Sequence, residues 1–138
     1  GALALKNKLV EHLAEIGYEV CDFGTHTQES CDYPIFAAAA ARAVASGECE
    51  KGIVLCTTGI GISIAANKIK GIRCALLSDV KSAELTRLHN DTNMMALGAG
   101  ITGEVLALEI VDTWLGTEFS GEARHQRRID MMMALEKE

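Results

Sequence analysis

The residues best suited to chemistry lie in the stretch KGIVLCTTGIGISIAANK, residues 51–68. The apolar run 53–55 is typical of a strand buried in a parallel sheet, and Cys56 stands where that strand should end. A glycine-containing turn, 57–61, follows, and the residues after it have helical composition. In open α/β sheets, ligands bind beyond the carboxyl ends of the strands, and helix N-termini bind anions. The stretch therefore offers a thiol, two hydroxyls and an anion-binding backbone at one place.

Several known kinds of site are excluded by what this stretch lacks. A dinucleotide fingerprint needs a third glycine where Ile64 stands, and the Walker phosphate-binding pattern is absent. A cysteine phosphatase would need an arginine where Ile62 stands. What remains is a cysteine that acts as a base or nucleophile beside a turn that stabilises an oxyanion. The alternative is a buried cysteine that closes a strand before a purely structural turn.

Length and composition predict a single domain, residues 1–138, with 49% hydrophobic residues to build its core. The net charge of −6 argues against nucleic acid or an anionic membrane as the main partner. No apolar run reaches the ~18 residues of a membrane span. The five cysteines are an odd number without a C-x-x-C pair, which favours reduced thiols in a cytoplasmic protein over disulfides or a zinc site.

Apolar periodicity and turn residues predict that helices and strands alternate, which indicates a parallel sheet covered by helices on both faces. The first helix has no strand before it, which is unusual for this pattern. Helices are predicted at residues 3–16, 35–46, 61–69, 81–89, 103–115 and 122–137, and strands at 18–23, 51–56, 73–77 and 94–97, with a polar loop at 24–33.

Further polar candidates cluster near the ends of predicted elements. His89 ends a helix and could move protons near neutral pH, or could simply interact with the C-terminus of its helix. Arg124 and Arg128 are four residues apart on one helix face and suit a phosphate, unless they form a solvated basic patch. His125 is predicted to point away from that face. Residues 32–34 are predicted only to start a helix.

The sequence resembles type B ribose-5-phosphate isomerases, which share a superfamily with the galactose-6-phosphate isomerase subunits. The resemblance covers nearly the whole chain and rests on several motifs that occur in order. These are DYP at 32–34, GIVLCTTGIGISIAANK at 52–68, GIR at 71–73, RLHNDTN at 87–93 and ARHQRR at 123–128.

This resemblance implies a Rossmann-like three-layer α/β/α sandwich that needs no metal or other cofactor. It implies a homodimer, or a tetramer, whose active sites are shared between subunits. By motif position, the resemblance gives Cys56 as the catalytic base, Thr58 and His89 as ring-opening residues, Thr57, Gly59, Ile60 and Gly61 as the substrate loop, Asn90 as a substrate contact and Arg124 and Arg128 as the phosphate clamp. In the family, the equivalents of His89 and Asn90 reach into the partner's pocket.

The sequence departs from the family's pattern in two places. The family usually starts with a central strand that ends in an Asp-His pair, whereas residues 1–6 correspond to the end of the turn that follows it. The chain is therefore expected to be N-terminally incomplete relative to the family, with the first family strand missing, and to be catalytically weak or inactive as it stands. The second departure is Gly100, where the family often has an arginine that contacts phosphate.

The function implied is the interconversion of ribose 5-phosphate and ribulose 5-phosphate. The reaction moves a proton between C2 and C1 through an enediolate, and a thiolate, which a helix N-terminus stabilises, can carry that proton. One alternative within the class is an isomerase of a six-carbon sugar phosphate, such as allose or galactose 6-phosphate. An alternative from another class is a phospho-sugar-binding protein without catalysis, which would need the arginines but not Cys56.

Overall fold

The computed structural model describes residues 2–24 and 32–138, and three parallel strands form the sheet in this part of the chain. They are β1 (Gly52–Cys56), β2 (Cys74–Leu76) and β3 (Met94–Gly98), in the spatial order β1-β3-β2. In the register, Gly52 lies opposite Met94 and Cys56 opposite Gly98. All five residues of β3 are buried, as expected for the central strand of a parallel sheet.

Six helices and a short 3₁₀ turn at Leu135–Lys137 accompany these strands in the described residues. The predicted helices are confirmed, with ends that differ by a few residues. They are α1 (Ala2–Glu15), α2 (Tyr33–Ala45), α3 (Ile60–Asn67), α4 (Val80–Asn90), α5 (Glu104–Gly116) and α6 (Ala123–Ala134).

The two faces of β3 belong to separate hydrophobic cores, which makes the fold the predicted three-layer α/β/α sandwich. Met95 and Leu97 pack in the core that contains the buried leucines of α1 and the apolar face of α5. Met94 and Ala96 point the other way, into the core formed with α2 and α3. This alternation follows from the two-residue period of a strand, and each buried large side chain stabilises the fold by about 1.5–3 kcal/mol.

Local contacts show why the helices begin and end where they do. The Asp79 side chain caps α4 by accepting a hydrogen bond of 2.7 Å from the N–H of Ser82. At the start of α5, Gly103 takes the cap position, and no side chain caps that helix. Trp114 of α5 is fully buried, and its indole N–H donates to the Thr92 hydroxyl at 3.0 Å. That bond ties α5 to the segment that leads into β3.

The prediction of a strand at 18–23 is wrong, because these residues have no regular secondary structure. After Gly17, whose φ is +98°, the segment runs along one wall of a cleft of about 1030 Å³ whose opposite wall includes β1. A strand exists only through pairing, and no strand of the described residues lies within pairing distance. Most of the predicted polar loop lies outside the described residues, which end at Gly24 and resume at Asp32.

No helix in the described part of the chain has the length and apolar character needed to cross a membrane.

Candidate active site

The thiol of Cys56 lies at the carboxyl end of β1 and faces the start of α3. Its Sγ accepts a hydrogen bond of 3.1 Å from the backbone N–H of Gly59, the residue that caps α3. Gly59 has a φ of +77°, and an added Cβ would overlap the backbone of Leu97. Only glycine therefore fits this tight turn, which brings a backbone donor to the sulfur. The turn thus fixes the position of the sulfur against the N-terminus of α3.

The N-terminus of α3 also leaves two backbone donors available beside the thiol. The N–H of Ile60 is occupied by the Thr58 hydroxyl at 3.2 Å, and the N–H of Ser63 by the Gly59 carbonyl at 3.1 Å. The N–H groups of Gly61 and Ile62 make no hydrogen bond within the described residues. Free donors at a helix N-terminus suit a substrate anion or a developing oxyanion.

The loop after β3 is hydrogen-bonded to the turn that follows β1. Ala99 N donates to Cys56 O and Gly100 N donates to Thr57 O, both at 2.8 Å. An added Cβ at Gly100 would lie 3.1 Å from that same Thr57 carbonyl, which is closer than nearly all real Cβ contacts. The departure from the family's arginine at position 100 therefore coincides with close packing of the loop against the turn.

Gly98 is the position where this packing is tightest. An added Cβ there would overlap the backbone carbonyl of Thr58. We expect Gly98→Ala to cost about 1–3 kcal/mol by overpacking, which lowers Tm by roughly 3–10 °C, and to reduce activity by moving the turn. Gly116→Ala is the matched control, since nothing lies within 4 Å of its added Cβ. Thermal unfolding of both variants checks this, and equal Tm values for the two would contradict it.

Tyr33 belongs to this turn, although the sequence analysis assigned residues 32–34 only to a helix start. That interpretation is correct as far as it goes, since α2 begins at Tyr33. Its phenol oxygen, however, lies where a Cβ on Gly61 would be, directly against the first turn of α3. Pairing a tyrosine at a helix start with a distant glycine requires the tertiary fold, so no sequence signal pointed to it.

A second cluster forms where α4 packs against α6. The rings of His89 and His125 are stacked, with centroids 4.4 Å apart and planes at 19°. His125 is buried, and its Nε2 lies 3.5 Å from Glu122 Oε2. The prediction that His125 points away from the face of Arg124 and Arg128 is therefore confirmed, since both arginines are exposed, but its contact with His89 was not predicted. The apolar Ile129, four residues later and also buried, is the signal that could have placed His125 on the inner face of α6.

The charges around this cluster favour an anion. Burial lowers the pKa of His125, and the positive charges of His89, Arg124 and Arg128 lower it further, against an opposing effect of Glu122. Arg124 donates to Glu122 at 3.0 Å, whereas Arg128 has no hydrogen-bond or ion-pair partner in the described residues. Both guanidiniums are exposed, four residues apart on α6.

Asn90 and its neighbours complete the second cluster. The Asn90 side-chain oxygen lies 3.2 Å from the Thr86 hydroxyl, which donates to it within α4. The Asn90 amide nitrogen therefore stays available to a ligand. No group of histidine, cysteine and acidic residues that could hold a metal ion occurs in the parts of the chain at 2–24 and 32–138.

The two clusters lie at opposite edges of the sheet. Cys56 is paired with Gly98 at the carboxyl ends of the strands, whereas His89 and Asn90 precede Met94 at the amino ends. The five residues of β3 separate these edges by roughly 13 Å. No hydrogen bond, ion pair or ring contact joins the clusters in the described residues. The predicted site residues thus form two groups within one chain.

Fold and site together define a Rossmann-like α/β enzyme with a cysteine thiol at the end of a strand. The sequence profile described as Ribose/Galactose Isomerase matches residues 1–132. The chain belongs to this ribose/galactose isomerase family, and it is an isomerase.

Individual relatives agree with this assignment. The chain is 50% identical to ribose-5-phosphate isomerase B of Escherichia coli K12, over 96% of this chain and 89% of the relative. It superposes on the ribose-5-phosphate isomerase B structure from Clostridium thermocellum with a TM-score of 0.95 and 52% identity, covering 97% of this chain and 90% of the other. The Mycoplasma genitalium ribose-5-phosphate isomerase B, solved with bound ribulose-5-phosphate, gives a TM-score of 0.94 at 38% identity, covering 99% and 90%.

Proposed function

We propose that this protein interconverts ribose 5-phosphate and ribulose 5-phosphate through an enediolate, with Cys56 as the base. The observation that carries the proposal is the thiol held at the N-terminus of α3 by the Gly59 N–H, beside the free N–H groups of Gly61 and Ile62. The names of the relatives, including one with ribulose-5-phosphate bound, support the pentose substrate.

In this mechanism the thiolate of Cys56 removes the proton from C2 of the open-chain aldose. Electrons move to the carbonyl oxygen at C1, the proton of the C2 hydroxyl passes to that oxygen, and the enediolate collapses to the C2 ketone when the thiol returns a proton to C1. The free N–H groups stabilise the developing oxyanion, a contribution on the order of 3 kcal/mol per donor in other enzymes. Thr57 and Thr58, the two residues after Cys56, are exposed, and Thr58 serves ring opening together with His89.

The separation of the two clusters supports a homodimer with shared sites. His89 and Asn90 lie at the far edge of the sheet from the thiol of their own chain. A second copy related to the first by a two-fold axis would bring these residues to the other copy's Cys56, and the symmetry makes two such sites at once. A tetramer would repeat the same arrangement. The reduced cysteines of such an enzyme fit the cytoplasm.

We also propose that residues 1–138 form one domain, since both hydrophobic cores share the central strand β3. Gly52 N donates to Asn93 O, so the backbone groups of Gly52 face β3. Successive residues of a strand direct their backbone groups to opposite sides, so those of Ile53 and Leu55 face the cleft. Such groups need hydrogen-bond partners when they are covered.

Arg124 and Arg128 are proposed to bind the substrate phosphate. Arg128→Ala should raise KM for ribose 5-phosphate by about 10–100-fold, since a hydrogen bond to a charged group contributes about 1.5–3 kcal/mol, with a smaller effect on kcat. Arg127→Ala is the control, because Arg127 is as exposed but lies on another face of α6. Steady-state kinetics of both variants check this. Equal KM increases in the two variants would assign the effect to overall charge.

The substrate is tested by comparing aldose phosphates of different length. We expect the highest kcat/KM with ribose 5-phosphate and lower values with allose 6-phosphate and galactose 6-phosphate. A preference for a six-carbon sugar would favour the alternative isomerase. Tight binding of the sugar phosphates without turnover would favour a binding protein and overturn the proposal.

A further inference from the structure

We propose that Arg73 and Arg87 are positioning residues, which hold the backbone of the turn 90–92 and thereby orient His89 and Asn90 for ring opening. The inference rests on the proposed function for the role of His89. Neither arginine belongs to the site residues described above, and each acts through the turn and makes no contact with Cys56 or its loop.

The turn at the end of α4 has an unusual backbone conformation. Asp91 caps the helix with φ 44° and ψ 48°, the left-handed region. It is the one residue other than glycine with a positive φ in the described residues. A left-handed residue with a side chain costs energy and persists where its surroundings hold it. The residues that hold Asp91 therefore fix the direction in which His89 and Asn90 leave the helix.

Arg73 holds the turn through its backbone carbonyls. Its Nε donates to Asn90 O at 3.0 Å, and its Nη2 donates to Asp91 O at 2.6 Å. Carbonyls at a helix C-terminus lack partners within the helix and carry partial negative charge, so a guanidinium is well suited to them. The backbone N–H of Arg73 also donates to the Asn93 side chain at 2.9 Å, which anchors the arginine to the start of β3.

Arg87 holds the turn from the opposite, inner side. It is only 6% exposed, and its Nη1 donates to Asp91 Oδ1 at 2.8 Å and to Thr92 O at 2.7 Å. Its Nε donates to Thr117 O at 2.9 Å, just after α5. A buried guanidinium with all these partners is a rigid support, and its removal would leave several groups unpaired.

Together the two guanidiniums bind the consecutive carbonyls of Asn90, Asp91 and Thr92. Lysine cannot reproduce this pattern, because its ammonium is a point charge without the planar fork of arginine. In this arrangement the motif GIR at 71–73 and the motif RLHNDTN at 87–93 contact each other. The first motif supplies the clamp on the outer side, and the second supplies both the inner clamp and the residues that are clamped.

The test uses Arg73→Gln and Arg73→Lys, because Arg73 is less buried than Arg87 and its loss should leave the protein folded. Two activities are compared in each variant. Isomerisation of ribose 5-phosphate requires ring opening, whereas exchange of the C1 hydrogen of ribulose 5-phosphate with D₂O requires only proton transfer at Cys56, because this ketose is acyclic. Arg42→Gln, on the exposed side of α2, is the control.

We expect both Arg73 variants to lower kcat with ribose 5-phosphate by about 10–100-fold, as misplacement of a reacting group does, and to change C1 exchange by less than roughly threefold. Equal losses in both activities would show a general structural role and overturn the inference. Unchanged isomerisation in both variants would overturn it as well.

A second readout does not depend on activity. The imidazole NMR signals of His89 should shift in Arg73→Gln, whereas those of His12, which is bound to Asp112 on another part of the surface, should not. Unchanged His89 signals would overturn the positioning role even in a protein without isomerase activity. Shifted His89 signals in Arg73→Gln, combined with a wild-type protein that interconverts no sugar phosphate, would retain the clamp and refute the proposed function instead.

Discussion

Replacing Cys56 by alanine should reduce kcat for ribose 5-phosphate by at least about 10³-fold and leave sugar phosphate binding largely intact. General base catalysis contributes about 10²–10⁴ in rate, and here the base also returns the proton. Binding should persist, because the proposed phosphate contacts are Arg124 and Arg128 of α6, which Cys56→Ala does not remove. Steady-state rates give the first quantity, and calorimetric titration with the substrate gives the second.

Cys74→Ala is the matched control for this experiment. Cys74 lies on β2, and burial raises the pKa of its thiol to about 12, so it remains a protonated thiol at neutral pH. Its loss should therefore leave kcat nearly unchanged, apart from a small cost in stability. Turnover near the wild-type value in Cys56→Ala would show that another group is the base. An equal loss in both variants would point to damage of the sheet.

Mixing two inactive variants should restore activity if the site is shared between subunits. Cys56→Ala lacks the base, and His89→Phe keeps a ring stacked on His125 but lacks the nitrogens needed for proton transfer. After subunit exchange, half of the dimers carry one copy of each, and one of their two sites has both native groups. The mixture should therefore reach about one quarter of the wild-type activity, although each variant alone is nearly inactive.

The control for the mixing experiment pairs two variants of the same cluster. Cys56→Ala mixed with a variant that disrupts the neighbouring turn, Gly98→Ala, should gain no activity beyond that of Gly98→Ala alone, because both lesions fall in the same half-site. Failure of the Cys56→Ala and His89→Phe mixture, under conditions where subunit exchange is shown by mass spectrometry, would contradict a shared site.

Much of the fold was predictable because its signals are local. The strand that ends at Cys56 and the buried strand β3 follow from short apolar runs, and α1 follows from leucines at every fourth position. The segment 18–23 shows the limit of this reasoning. Its composition favours a strand, but a strand also needs a neighbour at hydrogen-bonding distance, and no property of the segment itself supplies one.

The candidate site was predictable only where its functional residues are neighbours in the sequence. Cys56 and the glycine turn are contiguous in sequence, so the rule that ligands bind beyond the carboxyl ends of parallel strands was sufficient to find them. His125 and Tyr33 were missed, because each reaches its place through a contact between distant helices or loops. The same holds for Arg73, whose role depends on carbonyl groups seventeen and eighteen residues away.

The central claim is a proton transfer through an enediolate, and NMR of ribose 5-phosphate incubated with the protein in D₂O tests it most directly. Cys56 is only partly buried, so a proton on its thiol can exchange with solvent before it is returned to carbon. We predict that ribulose 5-phosphate appears and that its C1 position becomes deuterated over repeated turnovers. Formation of no ketose, or of ketose that keeps protium at C1 throughout, would contradict the account.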